Sequence, residues 1–145
     1  MKDRIDVLSR LATLRGIEVR QAKGRVDYQQ MLCHRYRENI VGLNRLCGYD
    51  NTVTSAVQRQ NQQQYKATLH GMINLQVREL AVAQEHLAHL QNQLMQAVRV
   101  AKVLTQVIEV KVRDRQTELG RQEQGRQDGL ASQVWWRNLK ASSEF

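Results

Sequence analysis

From Leu69 to Ile108 one face of the chain repeats in alternating steps of four and three: Leu69, Ile73, Gln76, Leu80, Ala83, Leu87, Leu90, Leu94, Ala97, Ala101, Leu104 and Ile108. Only Gln76 is polar. An ordinary amphipathic helix drifts by about 20° per heptad against such a repeat. A stripe that keeps phase for about five heptads is therefore a coiled-coil seam, and it demands a second helix of similar length.

The first third of the chain supplies that helix. Leu8, Ala12, Arg15, Val19, Ala22, Val26, Gln29, Cys33, Tyr36, Ile40, Leu43 and Cys47 follow the same spacing, with Arg15 and Gln29 as imperfections. Leu11, Leu14, Leu32 and Leu46 widen the stripe. Between the seams lies Gly48-Tyr49-Asp50-Asn51-Thr52, the dense cluster of turn formers, with Asn51, Thr52 or Thr54 available as a helix cap. The expected fold is all-α: a long two-helix antiparallel coiled-coil hairpin with an overhanging second helix. It forms a single domain over 1–145, with helix one at about 3–47, the apex loop at about 48–54 and helix two at about 55–118 or beyond. Folding about residue 51 sets position i opposite roughly 102 minus i and leaves everything after Lys102 overhanging. Gly120, Gly125 and Gly129 each cost about 1 kcal/mol in a helix, so the tail at about 120–145 is expected to fray or bend.

Composition agrees with a helical, non-globular core. There is no proline, only 5% of residues are aromatic, and the chain holds 19 glutamines. Strand-forming clusters are scarce. No stretch approaches the roughly 18 apolar residues of a membrane span. The N-terminus MKDRIDVLSRLATLRG carries Asp3 and Asp6 and lacks the apolar run of a secretory signal, so a cytoplasmic location is expected. Cys33 and Cys47, 14 positions apart on one helix, stand about 21 Å from each other and cannot pair within it. They are expected to be free packing thiols.

The chemistry-bearing residues point away from catalysis. No glycine-rich phosphate loop, nucleophile elbow or paired-carboxylate motif is present, and a two-stranded coil offers no concave apolar volume for a small molecule. His86 and His89 stand at i, i+3 without a third ligand nearby. No cofactor, metal or enzymatic activity is expected.

The net charge of +8 is uneven: residues 1–48 contribute +5, residues 49–98 contribute 0, and residues 99–145 contribute +3. In a hairpin the first and last segments share the open end. That end is then basic and the apex neutral, which suits a linker between two different partners. Sixteen of the 22 basic residues are arginine, the side chain that meets carboxylates and phosphates bidentately. Nucleic acid is a rival partner, but Glu109, Asp114, Glu118 and Glu123 are interleaved with the bases, and no aromatic stacking platform accompanies them. No direct nucleic-acid contact is expected. Trp135-Trp136, in the tail LASQVWWRNLK, has no seam to pack on and is a candidate contact for a partner or a membrane surface, unless it folds back on the coil.

Three stretches resemble the flagellar FliJ family, the coiled-coil component of the type III flagellar export apparatus. Helix one ends in LCHRYRENIVGL, whose Tyr36-Arg37-Glu38-Asn39-Ile40 is similar to the aromatic-plus-arginine segment ahead of the family's hairpin loop. QQQYKATLHGMINLQ resembles its glutamine-rich entry into helix two, with Tyr65 followed four positions later by Leu69. RQEQGRQDGLASQVWWR looks like its charged tail with an Asp-x-x-Ala element, here Asp128 and Ala131, although Gly129 stands where an acidic residue is usual and the double tryptophan is a departure.

The resemblance implies a non-enzymatic stalk, similar in form to the rotor stalk of rotary ATPases and seated in the pore of a hexameric flagellar export ATPase. It would also contact the cytoplasmic part of the export gate membrane protein and escort export chaperones. Flagellum biogenesis, protein transport and, through them, motility and chemotaxis would be the setting, peripheral to the inner membrane. The family's gate-contacting surface maps onto Tyr65, Leu69, Met72 and Gln76, of which Leu69 and Gln76 also fall on the seam. The basic open end, with Arg4, Arg10, Lys111, Arg113 and Arg115, is the expected ATPase contact. The alternatives are the equivalent stalk of a virulence injectisome and a basic coiled-coil adaptor that binds nucleic acid.

Overall fold

The computed structural model describes residues 2–49 and 55–143. It contains two helices, α1 (Lys2–Cys47) and α2 (Ala56–Ser143), packed against each other in antiparallel fashion, and no strand among the described residues. The capping expected from Asn51, Thr52 or Thr54 lies outside the described residues. Ser55 caps α2: its Oγ accepts a hydrogen bond from the Gln58 backbone N–H at 3.2 Å, and its carbonyl accepts a helical bond from Arg59 N–H at 3.1 Å. Ser-x-x-Gln is a helix-start signature, and the cap satisfies an amide that the first turn leaves without a carbonyl. At the end of α1, the Gly48 N–H is shared between the Asn44 and Arg45 carbonyls, both at 3.1 Å. This tightens the last turn without a left-handed residue.

The chain divides into two compact units, one of Met1–Arg15 with Val100–Phe145 and the other of Gly16–Arg99. In the second unit every seam position is buried or half-buried. The closed core consists of Ala22, Val26, Gln29 and Cys33 from α1 with Leu69, Ala83 and Leu90 from α2. Gln29 does not disrupt this core, because its Nε2 donates to the Ala83 carbonyl at 3.0 Å. Leu32 is half-buried, whereas Leu46 is exposed. A two-stranded coil has one seam, and a widened stripe has nothing further to bury against.

The longitudinal register differs from the simple fold about residue 51. Gln29 meets Ala83, and Asn39 Nδ2 donates to Gln76 Oε1 at 3.3 Å, so opposed positions sum to 112 to 115 rather than 102. The cause lies at the start of α2. Residues 56–61 are wholly exposed, and contact begins only at Gln62 and Lys66, which continue the seam backwards in the same four-and-three steps.

In the first unit, Ile5, Leu8 and Ala12 on α1 and Ala101, Leu104, Ile108, Lys111 and Arg115 on α2 are half-buried. The aliphatic stems of Lys111 and Arg115 extend the seam. The overhang therefore starts after Arg115, not after Lys102, and residues 116–143 are exposed throughout. Gly120, Gly125 and Gly129 lie within continuous helix. Their combined propensity cost falls on a segment otherwise rich in Gln, Arg, Glu and Ala, all good helix formers. Leu11 and Leu14 are exposed here as well.

Candidate partner-binding surfaces

Four residues early in α2, Tyr65, Leu69, Met72 and Gln76, separate into two groups. Leu69 is 4% exposed and belongs to the core. Gln76 is half-buried and accepts the hydrogen bond from Asn39. Tyr65 and Met72, seven residues apart and hence on one edge, are both about half exposed. Leu75 and Val82 continue that edge at helical spacing and are exposed too. A partner can therefore reach Tyr65 and Met72, while Leu69 and Gln76 hold the helix that presents them.

The five basic residues Arg4, Arg10, Lys111, Arg113 and Arg115 all belong to the first unit. Arg4 and Lys111 line one shallow concavity with Asp3, Val7 and Leu8. Arg10 and Arg113 are exposed, each two positions from a seam residue and so turned to the outer side of its own helix; Arg115 is on the seam. The five thus form a collar of cations around the coil, not a single patch.

A feature that the seam assignment passed over lies on the same unit. Val100, Val103, Val107 and Val110 are exposed and spaced 3-4-3, each one position before a seam residue. Val103, Val107 and Val110 line a second concavity with Gln106, Lys111 and Asp114. Lys111 is common to both concavities, so the valines and Val7 border the same face. The signal was present in the sequence as a second 3-4 pattern alongside the first.

Other candidates stay apart. His86 lines a groove with Gln21, Gly24, Arg25, Tyr28, Gln29 and Leu90, whereas His89 Nε2 is 3.1 Å from Gln93 Nε2. No group of three or more potential metal ligands occurs among the described residues. Cys33 is 1% exposed and Cys47 half-buried, both as free thiols. Trp135 and Trp136 are exposed and touch each other edge to face, with ring centroids 5.3 Å apart. No described helix is long and apolar enough to cross a membrane.

A family model described as Flagellar FliJ protein matches residues 4–140. Searches among curated proteins and among solved structures return no significant match.

Proposed function

Because the chain belongs to the flagellar FliJ family, whose members are non-enzymatic components of the flagellar export apparatus, we propose that it is a stalk joining the hexameric export ATPase to the export gate. We also assign it the escort of export chaperones. The observation that carries this reading is the family match across nearly the whole chain. Two surface features support the division of labour. The cationic collar of Arg4, Arg10, Lys111, Arg113 and Arg115 suits an acidic ring interior, because exposed guanidinium groups find carboxylates at low energetic cost. The edge of Tyr65 and Met72 offers an exposed aromatic and a polarizable thioether to the gate's cytoplasmic part, the residue types that dominate protein interfaces. The match is to a flagellar model, which favours the flagellar apparatus over an injectisome. Association with the inner membrane would then be peripheral and indirect, through the gate.

The test is ATP hydrolysis by the flagellar export ATPase of the same organism, with and without the chain. The wild type is expected to stimulate hydrolysis and promote ring assembly. Reversal of Lys111, Arg113 and Arg115 to glutamate is expected to weaken binding at least tenfold at low salt. Tyr65→Ala with Met72→Ala is expected to leave stimulation intact and abolish capture of the gate's cytoplasmic part. Unchanged ATPase affinity in the charge-reversed chain would remove the stalk assignment.

A further inference from the structure

The valine stripe of the first unit is exposed among the described residues, and its geometry points to a second copy. On α2 the exposed residues are Val100, Val103, Val107 and Val110; on α1 they are Val7, Leu11 and Leu14. Each lies one or four positions before a seam residue of its own helix, which sets both rows on the same flank of the antiparallel pair. The shared concavity residue Lys111 ties Val7 to the valine row.

Three observations select the occupant. The 3-4-3 spacing of the valines is a palindrome: reversed end to end, Val100 exchanges with Val110 and Val103 with Val107. The α1 row is centred at Leu11 and the α2 row between Val103 and Val107. Because Arg4 and Lys111 line one concavity from opposite helices, those two centres stand at about the same level. One two-fold axis crossing both helices therefore superimposes the valine row on its own counterpart, as an isologous contact requires, and brings the 4-3 spaced α1 row to its counterpart at Leu11.

The side chains are 36 to 62% exposed. Covered completely, they would contribute roughly 600 Å² per chain, or about 1,200 Å² for two copies, the lower edge of what a stable interface buries. Finally, the charged residues bordering the two concavities balance, with Asp3 and Asp114 against Arg4 and Lys111. Within the concavities themselves, each cation therefore has a carboxylate beside it to offset repulsion between two copies.

We propose that the chain self-associates through this stripe into an antiparallel two-fold dimer, a four-helix contact with Leu11 on the axis. The face borders Arg4 and Lys111 of the cationic collar, but self-association is read on the chain alone, so its failure is distinct from failure of the export role.

The full chain should show a concentration-dependent monomer–dimer equilibrium in sedimentation experiments, with a Kd in the micromolar range expected of a minimal interface. Leu11→Glu or Val107→Glu should weaken it at least tenfold while leaving helicity by circular dichroism unchanged, since both positions face solvent. In a Cys47→Ser chain, Leu11→Cys should form a symmetric disulfide-linked dimer under mild oxidation, and Tyr28→Cys, exposed on the other unit, should not. A chain that stays monomeric at every concentration overturns the proposal and leaves the stripe to a helix of another protein. Dimerisation unaffected by either glutamate, or a dimer without the Leu11→Cys cross-link, overturns the assigned face and symmetry respectively.

Discussion

Gln29 is the one polar side chain in the closed core, and replacing it with leucine separates stability from register. The wild-type side chain is 5% exposed and donates one hydrogen bond to the Ala83 carbonyl at 3.0 Å. Losing that bond costs about 1 kcal/mol, and no acceptor is orphaned because the carbonyl keeps its own helical partner. A leucine buried at the same position contributes about 2 kcal/mol, with nearly equal helix propensity. The balance is about 1 kcal/mol in favour of Gln29→Leu, or a Tm about 2 to 4 °C higher for a chain of this size by thermal circular dichroism.

The gain carries a loss of specification. An apolar seam with no buried amide has less to distinguish one heptad alignment from the next. Asn39→Cys paired with Gln76→Cys, at positions whose terminal amides are hydrogen-bonded at 3.3 Å, reports the alignment through relative disulfide yield. Yield should fall when Gln29→Leu is added. A lower Tm would refute the energy balance, and an unchanged yield would refute the register argument.

Three further substitutions test local features. Ser55→Ala removes the bond to the Gln58 amide and should cost about 1 kcal/mol, read as a lower urea midpoint. Thiol labelling should be fast at half-buried Cys47 and limited by opening of the coil at Cys33, and Cys33→Ser should destabilise by about 1 to 3 kcal/mol by burying a hydroxyl in an apolar layer. Gly120→Ala, Gly125→Ala and Gly129→Ala meet no atom within 4 Å, so each should add up to about 1 kcal/mol to the exposed helix, seen as slower amide exchange in residues 116–143.

The faces of both helices were legible in the residues. All twelve positions named for each seam are buried or half-buried, including the unpromising Arg15 and Gln29. A heptad repeat states which side of a helix meets its partner but carries no longitudinal coordinate, so the offset between Gln29 and Ala83 could not be read from spacing alone. It depends on where α2 first makes contact, at Gln62 and Lys66, which look like solvated residues in isolation. The same limitation moved the start of the overhang from Lys102 to beyond Arg115, since long basic side chains join a seam through their methylenes.

For the candidate surfaces, periodicity already marked Leu69 and Gln76 as seam positions, and they are core and half-buried. Tyr65 and Met72 remain accessible, because each stands one position before a seam residue, Lys66 and Ile73, and so lies on the flank of the seam. The valine stripe was hidden by the stronger seam beside it.

The antiparallel arrangement also orders the way the molecule is assembled in time. Asn39 and Gln76 are 37 residues apart along the chain, and Gln29 and Ala83 are 54 apart. Leu8 and Lys111, which line one concavity, close a loop roughly twice that of the Gln29 pair, at an extra entropic cost of about 0.6 kcal/mol if closed first. Closed last, after nearer pairs have formed, the same contact encloses almost no free chain. Loop entropy therefore favours an order in which the pairs nearest in sequence close before Leu8 meets Lys111.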